Sequence, residues 1–172
     1  MTLTLPELKA QIDPIAEKLG VSQNILPTYG YSEQSGHPHL EVDSNGYHYV
    51  HAERGYEFER YSTFDLNELL YKIFAGVTFG LASSYEFKNR IEDQDCRRII
   101  FQQQIGLLAM LSPEWAARES QKHETILTKY PFDDTASIRA TLCKDLRDQG
   151  NSPEDAWKMA CEQYPLPEGA SW

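Results

Sequence analysis

Four histidines and a group of glutamates between residues 37 and 60 are the side chains whose types and spacing could support chemistry. The histidines are His37, His39, His48 and His51, and Glu53 follows them closely. Imidazole nitrogens bind zinc, and a nearby carboxylate can act as a general base toward a metal-bound water. One hypothesis from these residues is therefore a small metal-dependent hydrolase that uses the histidines together with Glu53.

The spacing of the histidines argues against a metal centre. Side chains alternate along a strand, so His48 and His51 point to opposite faces and cannot easily bind one ion. No cysteine lies nearby, and no carboxylate has the spacing of a metalloprotease motif. We therefore expect no metal site and no other cofactor.

The sequence also lacks the patterns that accompany covalent catalysis. It contains no Gly-x-Ser-x-Gly segment and no glycine-rich phosphate loop. Cys96 lies beside two arginines, but no histidine partner for it is visible. His51 with Glu53, or Glu57 with Glu59, could perform acid–base chemistry. Because the same side chains are typical of a binding surface, we predict that the protein is not an enzyme.

Hydrophobic periodicity places these residues on a β-meander. Alternation of apolar and polar residues predicts strands over 39–43, 47–53 and 56–61. The Asn-Gly pair at 45–46 and the Arg-Gly pair at 54–55 predict tight turns between them. The prediction is a three-stranded antiparallel sheet.

A two-residue loop at 54–55 also predicts the register of the second hairpin. The opposed pairs would be Glu53 with Tyr56, His51 with Phe58, and Tyr49 with Arg60. One face would then carry Tyr47, Tyr49, His51, Glu53, Tyr56, Phe58 and Arg60. The other would carry His48, Val50, Ala52, Glu57, Glu59 and Tyr61. The first face is aromatic with charges at its edges, which is typical of a protein-binding patch.

Nine residues of this hairpin are our candidates for contact with a partner protein. They are Tyr47, Tyr49, His51, Glu53, Arg54, Tyr56, Glu57, Glu59 and Arg60. Two other interpretations remain open. The residues could form a solvated sheet face crossed by ion pairs, or Glu57, Arg60 and Tyr71 could form an internal network that holds the sheet to the following helix.

The rest of the chain has the apolar spacing of helices. These are predicted over 6–19, from Asp65 through a long segment, over 94–111, from Pro113, over 134–149 and over 153–164. The last two are expected to form a small antiparallel hairpin, with Ser152 as the cap and Pro153 as the first residue of the final helix. Ser62 or Thr63 is expected to cap the long helix. Gly76 and Gly80, four residues apart in that helix, are expected to let a neighbouring helix or the sheet come close.

Strands grouped before helices indicate the α+β class. We predict a small antiparallel three-stranded sheet packed on a predominantly helical bundle. A single domain over 1–172 is expected, with an N-terminal helix and loop over about 1–38, the β-meander over 39–63 and the helical part over 64–172.

Composition excludes several classes of protein. No run of apolar residues is long enough to span a membrane, and the N-terminal residues lack the pattern of a secretory signal. Three cysteines, an odd number without close spacing, suggest a reduced cytoplasmic protein. A formal net charge of -10 disfavours direct binding to nucleic acid but suits a basic protein partner.

The segment from the second strand into the long helix resembles a known family. The matching pieces are Tyr47-His48-Tyr49-Val50, Glu53-Arg54-Gly55, Glu57-x-Glu59-Arg60 and Asp65-Leu66-x-Glu68-Leu69-Leu70-Tyr71. The combined pattern is similar to the immunity protein 63 family, which comprises predicted antidotes of bacterial polymorphic toxin systems. One departure is visible, because the family pattern has a paired arginine where this chain has Arg60 followed by Tyr61.

This resemblance implies an inhibitor that acts through binding. Such a protein would bind its cognate toxin domain in the cytoplasm, as in contact-dependent inhibition, and would cover the toxin's active site. The negative charge of this chain favours a basic toxin, for example a nuclease whose substrate the acidic groups would mimic. Neither a membrane nor nucleic acid is expected as a direct partner, and the oligomeric state is not predicted.

Overall fold

A computed structural model describes residues 2–170 and has the predicted α+β class. The strands are β1 (Thr28–Tyr29), β2 (Ser35–Asp43), β3 (Gly46–Glu53) and β4 (Tyr56–Thr63). The helices are α1 (Leu5–Leu19), α2 (Leu66–Lys88), α3 (Arg97–Leu111), α4 (Pro113–Lys129), α5 (Ala136–Asp148) and α6 (Pro153–Gln163). Within the described range, none of the helices combines the length and the apolar character that crossing a membrane requires.

The contacts of the chain divide it into two compact units. The first comprises the residues up to 81 together with 104–116, and it contains the whole sheet. The second comprises 82–103 together with the residues from 117 onward, and it contains α5 and α6. The candidate contact residues predicted from the sequence all belong to the first unit.

The sheet has four strands in the order β1-β2-β3-β4, so the prediction of a sheet of three strands is wrong by one strand. β2, β3 and β4 form the predicted antiparallel meander, but β1 pairs in parallel with β2, with Thr28 opposite His39. β2 also begins earlier than predicted, at Ser35. The sequence does not reveal β1 because two residues are too few to show alternation, and the flanking Pro27 and Gly30 are typical of loops.

The turn between β3 and β4 forms as predicted. Arg54 and Gly55 both have positive φ angles, 52° and 82°. Glu53 pairs with Tyr56 across them. This is the two-residue hairpin loop whose backbone twist matches that of the strands.

A β-bulge beyond this turn changes the register of β4. Ala52 pairs with Glu57, but the next residue toward the N-terminus, His51, pairs with Glu59. Phe58 is therefore an extra residue with no partner on β3. A bulge of this kind moves every later residue of the strand to the opposite face.

Because of the bulge, Tyr49 pairs with Tyr61, and Val50 pairs with Arg60. The predicted pairing of Tyr49 with Arg60 and of His51 with Phe58 is wrong, and so is the predicted composition of the two faces. We call the side toward α2 the helix face, and it carries Leu40, Val42, Tyr47, Tyr49, His51, Glu59, Tyr61 and Thr63. We call the other side the polar face, and it carries His39, Glu41, His48, Val50, Glu57, Arg60 and Ser62.

The helix face forms the core of the first unit together with α1 and α2. Leu8 and Ile12 of α1, Leu40 of β2, and Ile73 and Phe74 of α2 are all fully buried in one cluster. Burial of this kind is the main favourable contribution to folding. The hairpin is therefore fixed to the unit through this face. On the other face, His48 and Val50 of β3 are also buried, and the exposed side chains are mainly those of β4.

A glycine allows α2 to approach the sheet, as predicted for one of the two positions. A Cβ atom at Gly76 would lie 3.2 Å from the hydroxyl oxygen of Tyr49. At Gly80, apart from the adjoining backbone of α2 itself, none of the described residues comes within 4 Å of that position, so the expectation of close packing there is wrong. The spacing of four residues does not by itself identify the contact.

α2 begins with a cap that differs from the predicted one. The carboxylate of Asp65 accepts hydrogen bonds from the backbone N–H groups of Asn67 and Glu68, at 2.8 and 3.3 Å. Thr63 instead accepts the N–H of Asp65 itself, at 3.0 Å. Asp65 is therefore the capping residue, and the assignment of the cap to Ser62 or Thr63 is wrong.

In the second unit, α5 and α6 form the hairpin that the sequence predicts. Ser152 caps α6 by accepting the N–H of Asp155 at 3.1 Å. Arg139 of α5 is 2% exposed and donates to both carboxylate oxygens of Asp133, at 2.7 and 3.0 Å. It also donates to the backbone carbonyl of Tyr164 at 2.6 Å, which joins the segment after α6 to α5.

Candidate functional site

The polar face brings together charged side chains from two strands that are not neighbours. Arg60 of β4 donates to both carboxylate oxygens of Glu57, at 2.7 and 2.8 Å. Its third nitrogen donates to Glu41 of β2 at 2.9 Å. His39 Nε2 lies 2.9 Å from the other oxygen of Glu41. We call these four residues the polar network.

Arg60 keeps both carboxylates of the polar network ionised. Burial raises the pKa of Glu41, but hydrogen bonds from Arg60 and His39 outweigh it and leave the pKa below its usual value. The hydrogen bond from Arg60 also lowers the pKa of Glu57. Hydrogen bonds to Glu57 and Glu41 in turn raise the pKa of Arg60. The guanidinium of Arg60 thus pairs with the carboxylates of both Glu57 and Glu41. The polar network therefore keeps one net negative charge when the imidazole of His39 is neutral.

A cavity of about 300 Å³ adjoins the polar network. His39, Glu41 and Glu57 line it together with Tyr31 and Gln34. His39 is only 5% exposed, and its Nδ1 atom has no hydrogen-bond partner among the described residues. The cavity is therefore polar and has carboxylate and imidazole groups in its walls.

His48 forms a second chain of hydrogen bonds on the polar face. Its Nε2 lies 2.9 Å from Asp43, and its Nδ1 lies 2.7 Å from the hydroxyl of Ser62. A serine, a histidine and an aspartate in contact have the composition of a catalytic triad. However, neither His48 nor Ser62 lines the cavity. We interpret this chain as a brace that joins the end of β2 to the end of β4.

The tip of the hairpin is the most exposed part of the predicted site. The side chain of Arg54 is 89% exposed, and Tyr56 is 70% exposed. Glu53 lies beside Arg54, with 3.6 Å between its carboxylate and the guanidinium. Three of the nine predicted residues therefore lie together where a partner could reach them.

Two of the nine predicted residues belong to the core. Tyr47 is 2% exposed, and its hydroxyl accepts the backbone N–H of Leu3 at 2.9 Å. Tyr49 is 5% exposed, and burial together with the charge of Glu59 raises the pKa of its phenol. These tyrosines hold the hairpin in place, and their exposed areas are small.

The link from β4 to α2 differs from the internal network considered above. Glu59 accepts a hydrogen bond from Lys72 of α2 at 2.7 Å, which lowers the pKa of Glu59. Glu57 and Arg60 do form an ion pair, but they join β4 to β2 on the opposite side of the sheet. Tyr71 is 3% exposed and packs in the core near Trp115. The proposed trio is therefore wrong as a strand-to-helix link.

The four histidines of this region do not converge on one point. His37 and His51 contact backbone carbonyls at 2.8 and 2.9 Å, whereas His39 and His48 contact different carboxylates on the polar face. Within residues 2–170, no group of three or more histidine, cysteine, aspartate or glutamate side chains is placed to hold a metal ion. The ligand set of the hydrolase hypothesis does not form.

Sequence reasoning missed Glu41 as a member of the site. Its alternation with His39 places both on one face of β2, and that signal is present in the sequence. Their contact with Arg60 could not be inferred, since without the bulge Arg60 would lie on the other face. The polar network is thus visible only once the register of β4 is known.

Comparison with known proteins agrees with the pattern in this region. Residues 43–125 match the model of the family described as immunity protein 63. The matched range begins at the last residue of β2 and contains β3, β4, α2 and α3. This match confirms the resemblance to that family, which the sequence of the hairpin and the following helix indicated. Neither a curated protein nor a solved structure matches the chain.

Proposed function

We propose that this chain, whose residues 43–125 match the immunity protein 63 family, binds a cognate bacterial toxin domain and covers its active site. The family match is the observation that carries the proposal, since immunity proteins neutralise toxins. We place this action in the cytoplasm. Cys96, Cys143 and Cys161 are all free thiols, in keeping with a reducing compartment.

The proposed contact surface is the hairpin tip with the adjoining polar face. Tyr56 and Arg54 are the exposed residues of the types that most often dominate the affinity of protein interfaces. Glu53, Glu57 and Arg60 extend this surface along β4. Four other predicted residues support or border the surface, with Tyr47 and Tyr49 below it and His51 and Glu59 on the helix face.

Charge supports a basic toxin as the partner. The chain carries a formal net charge of -10, and the polar network adds a local excess of carboxylate on the proposed surface. Opposite charges raise the rate of encounter between two proteins. A nuclease fits this requirement, because carboxylates could occupy the positions that its substrate's phosphates take.

We propose a binding role without catalysis. Arg60 engages Glu57 and Glu41, and Lys72 engages Glu59, so these glutamates are held as ionised partners of cations. A general acid needs a carboxyl group whose pKa is raised toward neutrality. The pKa values of all three are lowered instead.

Co-purification with the toxin domain tests the proposal. If the neighbouring upstream gene encodes a large protein with a variable C-terminal domain, that domain, expressed in an inactive form, is the candidate. An antidote to a lethal enzyme should bind it with nanomolar affinity, equivalent to about -12 kcal/mol. Binding weaker than micromolar, or none, would refute the assignment of this function.

A matched pair of tyrosine variants tests the surface. Tyr56→Ala should weaken toxin binding by at least about tenfold, the typical effect of removing an interface anchor. Tyr130→Ala is the control, because Tyr130 is also exposed, at 49%, but lies in the other unit. Equal affinities of the two variants would move the contact surface away from the hairpin.

A further inference from the structure

The cavity on the polar face is large enough for a side chain of a partner and is lined by a buried histidine. Its volume of about 300 Å³ is roughly ten times the 30 Å³ that one water molecule occupies in the liquid. It lies within the surface that we propose for toxin contact. One of its lining residues, His39, is almost fully buried and has an unpartnered nitrogen.

The unpartnered nitrogen of His39 is an acceptor in the neutral ring. Glu41 is ionised and can only accept, so the Nε2 atom that contacts it must donate. In the neutral imidazole, Nδ1 then has a lone pair and no hydrogen. A buried acceptor without a donor is costly, and most such groups in proteins have a partner. Nδ1 therefore needs a hydrogen-bond donor, and a group that enters the cavity beside His39 can supply one.

The charges around the cavity favour a cationic donor. Glu41 and Glu57 both line the cavity, and both share the single guanidinium of Arg60. Each carboxylate oxygen accepts more than one hydrogen bond, so contact with Arg60 does not exhaust either group. A second cation would cancel the remaining negative charge of the polar network.

We propose that this cavity receives an arginine side chain of the toxin domain, an inference that rests on the proposed function. A guanidinium presents five N–H donors in a plane, whereas a lysine ammonium presents three at one point. The acceptors here are spread over His39, Glu41 and Glu57 on three positions of the wall, so they match the flat, multiple donors of arginine. The side chain would enter as an anchor in a central pocket.

Titration with ethylguanidinium tests the cavity without the toxin. The imidazole nitrogens of His39 are followed by NMR in the ¹⁵N-labelled full chain, and saturable shifts at Nδ1 are expected at millimolar concentrations. N-ethylurea, which has a similar shape and no charge, should give no saturable shift. The absence of a shift with ethylguanidinium up to roughly 0.1 M would overturn the proposal, and so would equally tight binding of ethylammonium.

Two glutamates on β4 provide matched variants. Glu57→Gln removes a carboxylate of the cavity and should weaken ethylguanidinium binding by at least about tenfold. Glu59→Gln removes a carboxylate of similar exposure, 45% against 42%, on the helix face. It should leave the binding unchanged. Equal losses of ethylguanidinium binding in the two variants would show that the cation responds to the overall negative charge of the protein. This result would overturn the assignment of the binding site to this cavity.

Binding to the toxin domain separates this inference from the function itself. If the parent chain binds with nanomolar affinity and Glu57→Gln weakens the complex by about tenfold or more, the arginine anchor is supported. If the parent binds equally tightly and Glu57→Gln has no effect, the anchor is refuted while the immunity function stands. A parent chain that fails to bind any toxin domain refutes the function and the anchor together.

Discussion

Replacement of Tyr49 by alanine distinguishes a core residue from a binding residue on the same hairpin. Tyr49 is 5% exposed and lies against α2, where a Cβ atom at Gly76 would be 3.2 Å from its hydroxyl oxygen. A buried aromatic ring removes about 150–250 Å² from water. At about 25 cal/mol per Å², this corresponds to an upper limit of about 4–6 kcal/mol.

Measured costs of replacing buried aromatic residues by alanine are about 3–5 kcal/mol. We expect Tyr49→Ala to lose this amount from a total free energy of unfolding of about 5–15 kcal/mol. Urea denaturation followed by circular dichroism at 25 °C measures the loss. The thermal midpoint should fall by about 10 °C for a chain of this length.

Tyr56→Ala is the matched control for this experiment. Tyr56 is 70% exposed, so its loss should change the free energy of unfolding by less than about 0.5 kcal/mol. The two variants should have the opposite order of effect on toxin binding. Tyr56→Ala should weaken the affinity directly, whereas Tyr49→Ala should weaken binding only by lowering the fraction of the chain that is folded. A Tyr49→Ala variant that unfolds within about 1 kcal/mol of the parent would refute the assignment of this face to the core.

Three further perturbations have signs that the structure fixes. Gly46→Ala should destabilise the chain by about 1–3 kcal/mol in urea denaturation, because φ is 113° there and the added Cβ would lie 2.5 Å from the carbonyl oxygen of Thr63. Gly55→Ala should destabilise the chain less, because Gly55 also has a positive φ but its added Cβ would lie in open space. Arg139→Ala should cost about 3–5 kcal/mol because it leaves Asp133 without its buried partner. Hydrogen bonding from Arg139 lowers the pKa of Asp133, so this contribution is complete above the unfolded value near 3.8 and is lost as the pH falls through the lower folded value. Unfolding measured down to about pH 3 should accordingly show a shallower acid dependence in Arg139→Ala than in the parent.

The parts of the fold that sequence predicts well are those fixed by local chemistry. The loop at Arg54 and Gly55 follows from the glycine, which adopts its positive φ of 82° without steric cost. The helical hairpin at the C-terminus follows from Ser152 and Pro153, which begin α6 as a cap and a first helical residue. Each of these features depends on a few neighbouring residues, so no distant contact is needed to infer it.

The parts that sequence did not predict depend on contacts between distant segments. β1 is a strand only because Thr28 and its neighbour pair with β2. The surface role expected for Tyr47 and Tyr49 changed because α1 and α2 cover that side of the sheet. Polar aromatic residues such as tyrosine suit a core and an interface equally, so residue type alone cannot separate the two.

The bulge at Phe58 explains why one short strand can serve both faces of the sheet. Without the extra residue, strict alternation would place Glu57 and Glu59 on the same face and Arg60 on the other. The bulge separates the two glutamates, so that Glu59 meets Lys72 of α2 and Glu57 meets Arg60 on the polar face. Each carboxylate then has a cation on its own side, and neither is buried without one. A carboxylate thereby remains beside the cavity, and this is the feature on which the proposed arginine anchor depends.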